Sequence, residues 1–176
     1  VRALLARYDR FAFSISATTR PPRGQEQEGK DYYFMDAASF ERRVAEGAFL
    51  EWEEVYPGKC YGTLRSEVDR ILGEGRFPIF DVDVKGGLSL KRQFGSRALA
   101  VYIEAPSIEA LRERLRRRGT DSPEEIERRC RKALQEMEYR PRFDAVIVND
   151  ALDEAVGRFI RLVESHMPLS PSPSPP

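Results

Sequence analysis

The spacing of apolar positions changes several times along the chain, and each change marks an element. Leu4, Leu5 and Tyr8 fall at helical spacing, so Val1 to Tyr8 reads as the back half of a helix. Phe11 to Ser16 alternates with period two, a strand signal. Ala17 to Lys30 carries Pro21, Pro22, Gly24 and Gly29 among mixed charges and reads as a loop. Asp31 to Met35 is a short aromatic strand, after which Asp36 caps a helix carrying Phe40 and Val44 on one face and closed by Gly47. Phe49 to Val55 and Cys60 to Gly62 form a hairpin turned by Pro57-Gly58. Ser66 to Leu72 is a helix with Val68, Ile71 and Leu72 inward.

The pattern then shifts. Phe77 to Val84, Leu99 to Ile103 and Ala145 to Val148 are apolar runs suited to strands buried on both faces, and helical segments separate them. That alternation predicts a parallel α/β sheet flanked by helices. Ser122-Pro123-Glu124-Glu125 has a capping serine, a proline in the first turn and an acid three residues on, which starts a helix. Ile126, Cys130, Ala133, Leu134 and Met137 form its inward stripe. A last helix runs from about Leu152 to Glu164, with Val156, Phe159, Ile160 and Val163 inward. Residues 168–176 are a Pro/Ser tract expected to be disordered. Residues 31 to about 64 thus form a small, mostly antiparallel insert in a parallel core, a place where substrate commonly binds.

Composition narrows the function. The 176 residues suit one domain, spanning 1–167, with 29 Lys plus Arg balancing 29 Asp plus Glu. Zero net charge argues against a protein that coats nucleic acid or an anionic membrane. No apolar run approaches the roughly 18 residues that span a bilayer. Cys60 and Cys130 stand far apart outside any Cys-x-x-Cys pair, which fits a reducing cytoplasm. The lone histidine, His166, has no partner for a zinc site or a catalytic triad, so those hydrolytic chemistries drop out.

Candidate chemistry sits at four places. Arg20 and Arg23 lie three residues apart, stiffened by Pro21 and Pro22, and guanidinium forks bind phosphate oxygens in pairs. Tyr32 and Tyr61 can donate to the same anion, although spacing alone favours a solvated loop with surface arginines beside core tyrosines. Glu51 and Glu53 share a strand face opposite Trp52. A carboxylate there can accept from the N1–H and N2 amino groups of guanine, with the Thr63 and Ser16 hydroxyls meeting O6. Adenine lacks that donor pair, and sites matched to a hydrogen-bonding group reject analogues without it by about 10⁴–10⁵.

Asp81 and Asp83 end the most apolar strand, where α/β sheets gather ligands and where an Asp often faces a Mg²⁺–phosphate cluster. Two such acids are costly there unless paired with cations or polar ligands. Lys85-Gly86-Gly87 reads as a turn after them. Arg112, Arg114, Arg116, Arg117 and Arg118 crowd one helix end before Gly119, where each favours the helix C-terminus by about 0.3–1 kcal/mol. Most form a solvated face, while Arg118 and Arg129 suit a lid that closes on a transferring phosphoryl group.

Taken in order, Phe13 to Arg23, Gly29 to Phe34, Phe49 to Trp52, Tyr61 to Thr63, Phe80 to Gly86, Arg118 to Thr120 and Val146 to Asp150 resemble guanylate kinase, a nucleoside monophosphate kinase of the P-loop family. The resemblance implies a P-loop α/β core with a GMP-binding insert and a helical lid at about 118–140. It implies phosphoryl transfer from ATP to GMP with Mg²⁺, in the cytoplasm, by a monomer or homodimer that needs neither nucleic acid nor membrane. Arg20, Arg23, Tyr32 and Tyr61 would hold the GMP phosphate, and Ser16, Glu51 and Thr63 would read guanine with Asp83 beside them. Arg118 and Arg129 would approach the ATP phosphates, Asn149 would seat the adenine, and Arg20, Arg118 and Arg129 would be the catalytic arginines. No side chain is assigned as a direct metal ligand.

One departure stands out. The family's G-x-x-G-x-G-K-[ST] phosphate loop is nowhere in the 176 residues. The family places it just before the helix read at Val1 to Tyr8, so the chain is expected to be truncated at its N-terminus, short of a strand and loop of about 13–15 residues, and weakly active or inactive. The alternative is a catalytically dead guanylate-kinase-like module that binds proteins. Retention of Arg20, Arg23, Tyr32, Glu51, Tyr61 and Asp83 speaks for the enzyme.

Overall fold

The computed structural model describes residues 1–167, so the Pro/Ser tract expected to be disordered lies outside the described residues. The described residues divide into two compact units, 1–94 and 95–167.

In the first unit, α1 (Arg2–Arg7) buries Leu4 and leads through buried Tyr8 into β1 (Phe11–Phe13). β1 pairs in parallel with β6 (Phe77–Ile79), Phe11 opposite Phe77 and Phe13 opposite Ile79. Both strands are shorter than their apolar runs predict. After one more bond, from Ser14 N–H to the Ile79 carbonyl at 2.9 Å, the chain leaves this pair for a different sheet.

That second sheet has the order β3 (Tyr33–Phe34), β2 (Ala17–Thr18), β5 (Lys59–Leu64) and β4 (Phe49–Tyr56). β2 (Ala17–Thr18) falls where a loop is expected. Two residues carry no period, and their partners are distant: Gly62 and Tyr61 antiparallel on one side, Tyr33 and Phe34 of β3 (Tyr33–Phe34) parallel on the other. β4 (Phe49–Tyr56) and β5 (Lys59–Leu64) form the expected hairpin. Pro57 fixes φ at the first corner and Gly58, at φ +70°, takes the left-handed second corner, a pairing of turn residues that closes such hairpins. α2 (Ala37–Ala45) starts where the Asp36 carboxylate accepts from Ser39 N–H at 2.7 Å. It lays Phe40 against Phe49, rings stacked at 4.6 Å, over Ala17 and Leu64. Burying a phenyl ring of this kind contributes about 1.5–3 kcal/mol.

α3 (Arg65–Gly73) buries Glu67, Val68 and Ile71, whereas Leu72, expected inward, lies a further 100° round the helix and is 48% exposed. α4 (Val84–Phe94) takes in residues that read as a turn. Lys85-Gly86-Gly87 belongs to its first turn rather than to a connecting turn, because the Asp83 carboxylate accepts from Gly86 N–H at 2.9 Å and so starts the helix.

In the second unit, β7 (Val101–Glu104) and β8 (Ala145–Val148) pair in parallel. Their expected burial on both faces is not met, since Ile103 and Val146 are exposed. α5 (Ile108–Arg118) is capped by Ser107 and closed by Gly119 at φ +69°. α6 (Pro123–Glu136) is capped by Ser122, which accepts from Glu125 N–H. Leu115, Ile126 and Cys130 form the local core with Ile108 and Leu111, while Leu134 and Met137 lie beyond it, exposed rather than inward. α7 (Leu152–His166) completes the unit, burying Ala155 and Val163. Among the described residues both cysteines are free thiols, and no helix is long and apolar enough to cross a membrane.

Candidate active site

Within the first unit a cleft of about 160 Å³ opens among Ser16, Tyr32, Glu51, Val55, Tyr61, Gly62, Asp81, Val82 and Asp83. Four separate pieces of chain build it, Tyr32 coming from the segment just before β3. The crossing from β1 to β2 supplies Ser16, the β4–β5 hairpin supplies Glu51 and Tyr61, and the segment between β6 and α4 supplies Asp81 and Asp83. Five of the eight side chains expected to bind GMP therefore converge on one cleft: Ser16, Tyr32, Glu51, Tyr61 and Asp83.

Glu51 is the central group. The strand alternation puts it inward, buried, while neighbouring Trp52 points out at 45% exposure. Hairpin register sets Glu51 opposite Thr63, whose buried hydroxyl donates to Glu51 Oε1 at 2.6 Å. Burial pushes the Glu51 carboxyl above the usual carboxylate range, and nearby Asp83 adds to the rise against the opposing hydrogen bond from Thr63. A hydroxyl has one proton, and Thr63 directs its own at Glu51.

Arg20 lies beside this wall, 5% exposed. Its Nη1 and Nη2 hold the two oxygens of Glu26 at 2.6 and 2.7 Å, and Nη1 also donates to the Pro21 carbonyl at 2.8 Å. Its guanidinium stacks over the Tyr32 ring at 4.8 Å, and Tyr32 meets Tyr61 edge-on at 6.1 Å. Burial raises the Tyr32 phenol above its ordinary range, so it stays a neutral hydrogen-bond donor. Arg20 Nε is buried with no hydrogen-bond partner among the described residues. Arg23 is exposed, and its backbone N–H donates to Glu26 Oε2 at 2.8 Å.

Glu26 is the functional neighbour that sequence reading misses. Nothing in its spacing marks it; the only clue is that a buried guanidinium requires a carboxylate, and Glu26 is the acid nearest Arg20 in the chain. Buried Glu67 is a second such group. It accepts from Ile15 N–H at 3.2 Å, the Tyr33 hydroxyl at 3.2 Å and Arg70 Nη2 at 2.9 Å, fastening the residues next to Ser16 and Tyr32 onto α3. Burial alone would raise its carboxyl, but the bonds from Arg70, Ile15 and Tyr33 outweigh it and hold the group low.

In the second unit, Arg118 and Arg129 meet on one acid. Asp121 accepts from Arg118 Nη2 at Oδ2 at 2.5 Å and pairs through Oδ1 with Arg129 Nη2 at 3.3 Å. Within the same cluster, Arg112 is held by Glu127 and Arg114 by the carbonyls of Asn149 and Asp150. Asn149 is fixed by its N–H on the Glu104 carbonyl at 2.7 Å, at the carboxyl end of β8. Among the described residues no cluster of three metal-ligating side chains occurs.

The guanylate kinase family model matches residues 1–166. Guanylate kinase of Bacteroides fragilis is 46% identical over 167 residues, covering 95% of this chain and 82% of its own. Guanylate kinase of Porphyromonas gingivalis is 54% identical over 151 residues, covering 86% and 80%. The crystal structure of guanylate kinase from Anaplasma phagocytophilum superposes with a TM-score of 0.77 at 29% identity, over 93% of this chain and 78% of that one.

Proposed function

The chain belongs to the guanylate kinase family and is an ATP:GMP phosphotransferase, and from that premise we propose how its own residues bind and orient the substrates. A GMP phosphate oxygen attacks the γ-phosphorus of ATP, the bond from that phosphorus to the ADP oxygen breaks, and GDP and ADP result. Such a reaction asks the protein for position and charge more than for covalent chemistry.

Glu51 reads the base. As a carboxylate it accepts from guanine N1–H and N2–H, Thr63 fixes its other edge, and Ser16 donates to O6. Asp83 stands on the same wall. Arg20, Arg23, Tyr32 and Tyr61 take the 5′-phosphate. Arg118 and Arg129, joined at Asp121, take phosphate oxygens of ATP, and Asn149 contacts its adenine. Two free thiols favour a reducing, cytoplasmic setting.

Mg²⁺ fits these residues. It needs only one or two carboxylates when nucleotide phosphates and water fill its remaining positions. Asp81, exposed at the end of β6, is the side chain suited to hold it. Bound with ATP, the ion would neutralise phosphate charge.

The observation that carries this reading is the buried Glu51 on a wall shared with Ser16, Tyr32, Tyr61 and Asp83. Because the 176 residues hold no Gly-rich phosphate loop, they are expected to bind GMP yet transfer phosphoryl groups slowly. Parallel measurement of GMP binding and of GDP formation from GMP and Mg·ATP tests both halves. Binding with slow transfer is the expected result; absence of GMP binding overturns the assignment of the pocket, and rapid turnover overturns the expectation of slow transfer.

A further inference from the structure

Gly86 lies in the first turn of α4, directly under the carboxylate that reads guanine. Its backbone is ordinary for a helix, so no left-handed conformation calls for glycine there. Space does. A Cβ at this position would fall 2.6 Å from Glu51 Oε2, 3.2 Å from Glu51 Cδ and 3.0 Å from Asp83 Oδ1. Gly86 is buried, and its N–H is already held by Asp83 Oδ1 at 2.9 Å. Both acids of the base wall thus converge on one missing side chain.

We infer that Gly86 is a specificity-determining position: the absence of a side chain there lets Glu51 and Asp83 share one wall, with the Glu51 carboxylate held where guanine, and not adenine, satisfies it. The inference rests on the guanine-reading assignment of Glu51 above. Carbon–oxygen contacts run about 3.3–3.6 Å, so a methyl at Gly86 forces the Glu51 carboxylate back by roughly 0.7 Å or more. It has little room to yield, because Oε1 is tied to Thr63 at 2.6 Å on the opposite side. Alanine is also the better helix former, so backbone propensity alone would favour the replacement. What opposes it is the carboxylate.

Losing a hydrogen bond to a charged group costs about 10- to 100-fold in affinity. Calorimetric titration of GMP and AMP into the full chain and its Gly86→Ala variant tests the inference. The unmodified chain should prefer GMP, and Gly86→Ala should weaken GMP by about 10- to 100-fold while changing AMP by less than about threefold. Glu51→Gln should cost the unmodified chain about tenfold or more, yet add less than about threefold to Gly86→Ala, since the carboxylate is already displaced. A loss of fold without contact to Glu51 would not produce that non-additivity.

An unaltered GMP-to-AMP ratio in folded Gly86→Ala overturns the inference and leaves the guanine reading standing. An unmodified chain with no preference for GMP overturns that reading, and the inference with it. If Gly86→Ala does not fold, the Glu51→Ala/Gly86→Ala double variant removes the group it strikes. Recovery of native circular dichroism then supports the collision, and a double variant that remains unfolded overturns it.

Discussion

Arg20 and Glu26 grip each other through two parallel hydrogen bonds, Nη1 to Oε2 at 2.6 Å and Nη2 to Oε1 at 2.7 Å. The same Glu26 oxygen that takes Nη1 also takes Arg23 N–H, so one carboxylate organises the whole Arg20–Glu26 turn. Its hydrogen bonds from Arg20 and Arg23 outweigh its partial burial and hold the Glu26 carboxyl below the usual range, and the same pair raises Arg20.

Glu26→Gln is expected to lower stability at neutral pH by about 1.5–3 kcal/mol, the worth of a charged hydrogen bond. The sign with pH follows from the depressed carboxyl. Its contribution is complete above the unfolded-state value and disappears as pH falls through the lower folded-state value. Urea unfolding of both proteins from neutral to acid pH should therefore show the gap closing; a gap that widens in acid contradicts the pairing.

Glu51 predicts opposite pH slopes for two properties. Its folded-state carboxyl is raised, mainly by burial. Its stability contribution is therefore full below the unfolded-state value and is lost as pH rises through the folded one. Guanine needs the carboxylate, so GMP affinity should instead fall as pH drops, beginning above the range where ordinary carboxylates titrate. The GMP dissociation constant measured against pH should show a steeper fall in affinity in the unmodified chain than in Glu51→Gln, which keeps only the fall due to protonation of the GMP phosphate at about pH 6.

Thr63 is expected to act through Glu51. Thr63→Val deletes the donor of the 2.6 Å bond and leaves a buried carboxylate oxygen unsatisfied, at about 1–3 kcal/mol. Thr63→Ser keeps the hydroxyl and should restore most of it. Thermal unfolding together with GMP titration checks both; a larger loss in Ser than in Val would assign Thr63 to packing alone.

Asp121→Asn should separate the nucleotides. It removes the shared charge that gathers Arg118 and Arg129. ATP binding is expected to weaken by about tenfold, the scale of one charged hydrogen bond, with GMP binding unchanged. Separate ATP and GMP titrations read the difference, and an equal loss for both contradicts it.

Much of this site is legible in the sequence because it rests on local rules. Period-two alternation turns Glu51 in and Trp52 out, Pro57-Gly58 fixes the hairpin, and Asp36 and Ser122 mark helix starts. What escapes is set by distant partners. Ala17–Thr18 becomes a strand only because Gly62 and Tyr33 arrive on either side. Phe80 to Asp83 leaves the strand because β1 turns away after Ser14, and Asp83 then caps a helix through residues that read as a turn. Leu72, Leu134 and Met137 follow helical spacing, yet exposure depends on where the neighbouring element ends. Glu26 is invisible until Arg20 is seen to be buried, and Gly86 until the Glu51 carboxylate is seen above it.

The pocket around Glu51 in the first unit is proposed to read guanine and bind GMP. Calorimetric titration of GMP and AMP into the unmodified 176-residue chain tests it most directly. GMP binding with AMP weaker by at least about 10²-fold is the predicted result, since a carboxylate matched to the guanine donors is left unpaired by adenine. Equal affinities for the two nucleotides, or no binding of GMP, would contradict it.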